Sequence, residues 1–124
     1  MPRSFLVSVA GLSGLIPFLF GINAMLRPAH ALTFFNLPYT TSVADRAVLD
    51  GLLFIYGARD IFMGCALFAT SLYNARKPTG WILLATAAVG GADGLMCKMV
   101  GTGEEWSHWG YAPVLALPAL ALLR

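Results

Sequence analysis

The chain has 124 residues, of which 58% are hydrophobic and 11% are charged, and its formal net charge is +2. Soluble domains hold about 45–50% apolar and about 25% charged residues, and a small domain has more surface to cover with charge, not less. The composition therefore excludes a soluble globular domain, a disordered tail and a disulfide-rich secreted module. The low net charge excludes a nucleic-acid partner. We expect a chain that lies within a lipid bilayer.

Four apolar stretches follow one another along the sequence. They cover residues 4–26, 47–73, 79–100 and 106–123. Each is close to the roughly 20 residues that a membrane span requires, and the fourth is the shortest. A polar turn at residues 74–78 makes the second and third stretches antiparallel neighbours. The sequence predicts an all-α integral membrane four-helix bundle that forms a single domain over residues 1–124.

The first stretch has some features of a secretory signal peptide, because it follows Arg3 and precedes small residues at positions 29–31. Its apolar run exceeds the about 7–15 residues of a signal-peptide core, so we expect it to be retained as a span. With four spans, one side of the membrane holds Arg3, Arg76, Lys77 and Arg124, and the other side holds three basic residues. This excess predicts cytoplasmic termini. The expected membrane is the endoplasmic reticulum.

Charged side chains within the second and third spans are the main functional signal. Each costs about 2.5–3.5 kcal/mol at the bilayer centre, so such residues face the interior of a bundle. At about 100° per residue, Asp50, Tyr56 and Asp60 share one broad face of the second span, with Arg59 at its edge. At a rise of about 1.5 Å per residue, Asp93 of the third span lies level with Tyr56 and within reach of Arg59.

Every span contributes a polar group to the same half of the bilayer. Asn23 ends the first span, Lys98 lies level with Asp50, and His108 begins the fourth span. The opposite half is almost entirely Leu, Phe, Ala and Ile apart from the basic turn. This asymmetry predicts a polar pocket inside the bundle that opens toward the long loop, residues 28–42, and the glutamate-containing loop before the fourth span.

Two other features bear on packing and on cofactors. Gly90 and Gly94 form a GxxxG pair, and Gly57 and Gly64 lie on the second span, so small residues allow close helix contact where the charges lie. The two cysteines lie in apolar runs without a metal-binding spacing, and the two histidines are far apart in sequence. No metal site and no other cofactor is therefore expected.

Asp60, Arg59 and Asp93 are the candidate catalytic residues. One guanidinium cannot neutralise two carboxylates, so one carboxyl is expected to be a neutral acid while the other is an ionised base. The candidate substrate-binding residues are Tyr56, Asn23, Asp50, Lys98 and His108.

The same groups also have structural interpretations. A salt bridge between Arg59 and Asp93 would fix the helix register, and Asp50 with Lys98 would form an ion pair at the rim of the pocket. The aromatic residues of the fourth span are most simply a belt at the membrane interface, formed by Trp106, Trp109 and Tyr111.

The run at residues 56–64, Tyr-Gly-Ala-Arg-Asp-Ile-Phe-Met-Gly, together with Gly-Ala-Asp-Gly at 91–94, resembles a fungal family of small four-helix membrane proteins known mainly as a domain of unknown function. The Gly-Ala-Arg-Asp core is its most specific part, and the resemblance covers nearly the whole chain. Similar small membrane proteins occur in fungal gene clusters for lipophilic natural products, where they act as cyclases, isomerases or hydrolases.

The chemistry of the Asp-Arg-Asp set also resembles that of the limonene-type epoxide hydrolases, which are soluble and differently folded. In those enzymes one carboxylate activates water, a second carboxyl in its acid form protonates the epoxide oxygen, and an arginine bridges the two. This resemblance of residue types covers Asp60, Arg59 and Asp93 and no other part of the chain.

Three functional hypotheses follow. The first is an intramembrane acid–base enzyme of natural-product biosynthesis that acts on a lipophilic small molecule, by epoxide hydrolysis or else by cyclisation or isomerisation. The second is a non-enzymatic carrier or small-molecule-binding protein, and the third is a packing subunit. Polar groups confined to one membrane half favour a closed-ended pocket over a carrier. The expected partners are the substrate and membrane lipid, and self-association stays open.

Overall fold

The computed structural model describes residues 3–124, with side chains from Phe5 onward. The side chain of Arg3, on which the topology prediction partly depends, lies outside this description. Six helices follow in chain order: α1 (Arg3–Ser13), α2 (Leu15–Leu26), α3 (Pro28–Thr33), α4 (Val43–Leu72), α5 (Arg76–Val100) and α6 (Glu105–Leu123). The described residues contain no strand, so the predicted all-helical class is confirmed.

Three helical segments have the length and apolar composition that crossing a membrane requires. They are Phe5–Leu26, Val43–Leu72 and Arg76–Val100. By these properties the chain is a membrane protein. The predicted fourth span is not among them, because the first seven residues of α6, Glu-Trp-Ser-His-Trp-Gly-Tyr, include no aliphatic side chain. Its apolar part is only residues 112–123, which is shorter than the bilayer core.

The first membrane segment consists of two helices, α1 and α2. Pro17 has no N–H group and its ring excludes the carbonyl of Ser13, so the α-helical bond between these two residues cannot form. Gly14 N–H instead donates to the Gly11 carbonyl at 2.9 Å, and the helical pattern resumes where Phe18 N–H donates to the Gly14 carbonyl at 3.2 Å. Because the helix is interrupted here, α1 and α2 can pack against different neighbours.

The neighbours of α1 and α2 indeed differ. α1 packs against α4, α5 and α6. Apart from its junction with α1, α2 packs against α3 and α4 but not, within the described chain, against α5 or α6. α5 and α6 form the most extensively packed pair. α6 therefore packs against α1, whereas a gap separates it from α2.

Two apolar clusters lie on either side of the middle of the bundle. The larger one consists of Val7, Ala10, Leu67, Leu83, Ala87, Leu115, Ala119 and Leu122. The smaller one joins α2, α3 and α4 and consists of Ala24, Ala31, Leu32 and Leu53. Along α4, Asp60 lies between Leu53 of the smaller cluster and Leu67 of the larger one. The carboxyl group of Asp60 therefore lies between the two apolar clusters.

Glycines bring α4 into backbone contact with α2 and with Gly14, the residue just before α2. A Cβ atom at Gly57 would lie 2.5 Å from the Gly21 carbonyl oxygen, and one at Gly64 would lie 2.6 Å from the Gly14 carbonyl oxygen. The two contacts are about two helical turns apart on both helices, as expected for an antiparallel crossing. The predicted role of Gly57 and Gly64 in close helix contact is confirmed.

Candidate active site

A cavity of about 260 Å³ lies in the middle of the bundle, among α2, α3, α4, α5 and α6. Most of its wall is apolar and comes from Ile16, Pro17, Phe20, Ala31, Phe34, Phe35, Met63 and Val89. Gly90 and a smaller set of polar residues complete it: Tyr56, Asp60, Thr86, Asp93, Ser107, His108 and Tyr111. Apolar walls with a few polar groups are typical of small-molecule sites.

Two carboxyl groups reach this cavity from neighbouring helices. Asp60 of α4 is only 4% exposed, and Asp93 of α5 is largely buried. Tyr56 precedes Asp60 by one helical turn, so its ring lies on the same face of α4 and lines the same cavity. Helical periodicity and depth predict this grouping on α4 and α5, and the structure brings the residues together.

One guanidinium contacts both carboxyl groups. Arg59 Nη2 lies 3.0 Å from Asp60 Oδ1 and 3.4 Å from Asp93 Oδ2. Arg59 Nε also donates to Asp60 Oδ1 at 3.1 Å, and the guanidinium carbon lies 4.3 Å from the centroid of the Tyr56 ring. The Arg59 side chain is 38% exposed and is not one of the residues that line the cavity. Arg59 therefore contacts the two carboxyl groups from outside the cavity, away from a molecule bound in it.

This arrangement brings two potential negative charges to one positive charge. With both carboxyls ionised, the cluster would carry an uncompensated negative charge in a buried site, where such a charge is costly. A single proton shared by Asp60 and Asp93 would remove that charge. The cluster would then hold one carboxyl that can donate a proton and one carboxylate that can accept a proton, within reach of the same arginine.

Tyr111 of α6 is a cavity residue that the sequence analysis assigns to an aromatic belt. Its hydroxyl oxygen is buried and has no hydrogen-bond partner in the described chain. Leaving such a group unpaired costs about 1–3 kcal/mol, so the hydroxyl is available to a ligand oxygen or a water in the cavity. Tyr111 follows His108 by three residues, which places both on one helix face. The three-residue spacing of His108 and Tyr111 is the feature of the sequence that could have identified Tyr111 as a cavity residue.

His108 joins α6 to the segment that follows α3. Its ring stacks on the ring of Phe35, with centroids 4.8 Å apart, and its Nε2 lies 3.3 Å from the Phe34 carbonyl oxygen. Phe35 is buried and also meets the Tyr56 ring edge-on, with centroids 5.8 Å apart. Phe34 and Phe35 of the long loop therefore form part of the cavity wall, and the opening toward that loop stays a prediction.

Asn23, a predicted substrate-binding residue, does not line the cavity. Its Oδ1 lies 3.0 Å from His30 Nδ1, while its Nδ2 is buried without a partner in the described chain. Asn23 follows the lining residue Phe20 by three positions but turns toward α3. Its side chain connects α2 with α3 instead of facing the carboxyl groups.

The predicted rim pair of Asp50 and Lys98 does not form. Asp50 accepts a hydrogen bond from the Tyr39 hydroxyl at 2.7 Å, and this bond raises the pKa of Tyr39 above its ordinary value. Lys98 Nζ lies 5.5 Å from the centroid of the Trp109 ring. Neither residue lines the cavity. Counting residues along two helices gives their depth but not the direction in which their side chains point, and here the directions differ.

Trp109 belongs to the contact between α5 and α6. Its indole N–H donates to the Gly91 carbonyl at 3.1 Å, and its ring lies directly on Gly94, where a Cβ atom would collide with it. The predicted small-residue contact at Gly94 is thus made with an aromatic ring of α6.

Among the described residues, no group of three or more His, Cys, Asp and Glu side chains could hold a metal ion.

Comparisons with curated proteins and with solved structures found no match in either set. A protein family described as a domain of unknown function, DUF4267, matches residues 14–122. The matched region contains every residue that lines the cavity, together with Arg59. The chain belongs to the DUF4267 family.

Proposed function

We propose that this protein is an intramembrane acid–base enzyme that opens the epoxide ring of a lipophilic small molecule with water. The observation that carries the proposal is the contact of one guanidinium with two carboxyl groups at a mostly apolar cavity. Epoxide opening needs a base for water and an acid for the ring oxygen at the same time. Asp60 and Asp93 supply both if they hold one proton between them.

The carboxyl groups of Asp60 and Asp93 together account for both proton transfers of the reaction. The ionised carboxylate takes a proton from water as the water oxygen bonds to an epoxide carbon. The bond from that carbon to the ring oxygen breaks, and the ring oxygen takes the proton of the neutral carboxyl. The product is a vicinal diol, and the pair again holds one proton, now on the other carboxyl. Arg59, which contacts both carboxyls, acts as the positioning residue.

The test is to incubate the purified protein with a panel of lipophilic epoxides and polyenes and to identify the products. A diol that contains oxygen from labelled water supports hydrolysis. A rearranged or ring-closed product of the same mass would replace hydrolysis by isomerisation or cyclisation at the same residues. Saturable binding without any product would favour the carrier or binding hypothesis. The resemblance to small fungal membrane proteins of natural-product pathways supports including terpenoid epoxides in the panel.

Tyr111 is expected to donate a hydrogen bond to the epoxide oxygen. Tyr111→Phe should lower kcat by about 100-fold, as is typical when one donor to a developing oxyanion is removed. The melting temperature should not fall, because the hydroxyl has no partner in the described chain. Tyr73→Phe, at an exposed residue after α4, is the matched control. Equal turnover in the two variants would remove Tyr111 from the mechanism.

The proposal also takes α6 as a fourth span and both termini as cytoplasmic, in the endoplasmic reticulum. Its 19 residues extend about 28 Å, close to the thickness of the bilayer core of about 30 Å. In a chain without its native cysteines, single cysteines at positions 3, 76 and 124 should all react with a membrane-impermeant maleimide from the cytoplasmic face. Reaction of any one of them from the opposite face would contradict this topology.

A further inference from the structure

We infer that the substrate reaches Asp60 and Asp93 sideways from the bilayer, through the gap between α2 and α6, and that it carries its epoxide at one end of a slender apolar body. The inference about chemistry rests on the proposed function. The inference about the route rests on the packing of the helices and on the side chains around the cavity.

The gap follows from the interruption of the first membrane segment. α1 packs against α6, but α2 does not do so within the described chain. The cavity lies between α2 and α6 and is lined there by Ile16 and Phe20 of α2 and by His108 and Tyr111 of α6. Pro17, which breaks the helix, is itself a lining residue. Pro17, which interrupts the first membrane segment, thus lies beside the gap between α2 and α6.

The margin of the gap is apolar on the side formed by α2 and the segment after α3, and polar on the α6 side, where His108 and Tyr111 lie. Ile16, Phe20 and Phe34 line the cavity and are 38–39% exposed, so none of these apolar side chains is enclosed by the packed bundle. The rings of Phe20 and Phe34 meet edge-on with centroids 4.8 Å apart, which makes α2 and the segment after α3 one continuous rim. An opening with such a rim favours access from hydrocarbon over access from water.

The other sides of the cavity are less suited to an apolar molecule. The loop end is covered by Phe35 stacked on His108, and the opposite end is filled by the larger apolar cluster, which includes the fully buried Leu67 and Leu83. The groove between α4 and α5 holds the charged Arg59 guanidinium. An apolar molecule would have to displace packed side chains or pass a charge on each of these routes.

The cavity also limits the shape of the substrate. A cavity of about 150 Å³ accommodates benzene. By the same ratio, about 260 Å³ accommodates roughly ten non-hydrogen atoms. A longer linear chain can extend through the gap into the bilayer, whereas a rigid polycyclic body at the epoxide end cannot fit. The substrate class is therefore a terminal or near-terminal epoxide on a flexible apolar chain.

The experiment uses the full chain in phosphatidylcholine vesicles, with the terminal epoxide of a sixteen-carbon alkane as the probe. Ile16→Trp places a larger side chain at the gap. Leu19→Trp makes the same kind of change on an exposed face of α2 away from the cavity. Ile16→Trp is expected to lower kcat/KM by about 10–200-fold, the range seen when a hydrophobic pocket is mismatched in size, and Leu19→Trp to leave it unchanged. A rigid polycyclic epoxide should react far more slowly than the linear one with the wild-type protein.

A photoreactive diazirine analogue of the same epoxide measures access without turnover. It should label α2 and α6 residues around the gap in the wild-type protein and in Leu19→Trp, and much less in Ile16→Trp. Labelling of this kind without any diol would refute the proposed hydrolysis but retain the route. Diol formation with equal kcat/KM in the two tryptophan variants, or labelling confined to the α4–α5 groove, would overturn the route and leave the hydrolysis standing.

Discussion

Asp60→Asn and Asp93→Asn are each expected to lower epoxide turnover by at least about 100-fold, the lower bound for loss of a positioned proton donor or acceptor. Asparagine keeps the shape of the side chain but can neither release nor take up the proton. The Asp60–Asp93 pair then retains either its acid or its base and loses the other. Because the groups act together, the double variant should lose little more than either single variant.

The folded state should survive these changes, because each one removes a buried potential charge next to Arg59. Turnover and a melting curve are therefore measured on the same purified protein. Asp45→Asn, in the exposed first turn of α4, is the matched control and should retain wild-type turnover. If both active-site variants unfold, or if both keep their turnover, the Asp-Arg-Asp cluster is structural and the binding and packing hypotheses gain.

Much of the fold could be predicted from the sequence because hydropathy reports helices of membrane length directly. The interruption of the first membrane segment could not be predicted, although Pro17 is present in the sequence there. Pro113 and Pro118 lie inside α6 without ending it, whereas Pro17 is preceded by Gly14, which makes the tighter turn. Whether a proline bends or ends a helix depends on the packing of the neighbouring helices, and that information is tertiary.

The catalytic candidates could be predicted because they lie on two helices joined by a short turn. Helical periodicity and rise fix both their face and their depth, and Arg59 does contact Asp60 and Asp93. The same reasoning gave a wrong partner for Lys98 and assigned Tyr111 to the membrane interface. Both errors concern the rotation of a helix relative to its neighbours, which is set by contacts such as that of Trp109 with Gly94.

Gly57→Ala is expected to destabilise the bundle by about 1–3 kcal/mol, the usual cost of forcing extra volume into a packed site. The added methyl group would lie 2.5 Å from the Gly21 carbonyl oxygen, a backbone atom that cannot rotate away. α2 would have to move off α4. Because α2 carries Ile16 and Phe20 of the cavity wall, turnover should fall together with stability.

Gly51→Ala separates this steric effect from the intrinsic helix propensity of alanine. Gly51 lies on the same helix, and a Cβ atom there would meet no atom within 4 Å. Alanine in a helix interior is more stable than glycine by about 0.5–1 kcal/mol, so Gly51→Ala should raise the melting temperature while Gly57→Ala lowers it. Opposite signs for one substitution at two positions of α4 would locate the crossing with α2. A rise at both positions would mean that α2 and α4 are not in backbone contact, and the gap between α2 and α6 would then lose its structural basis.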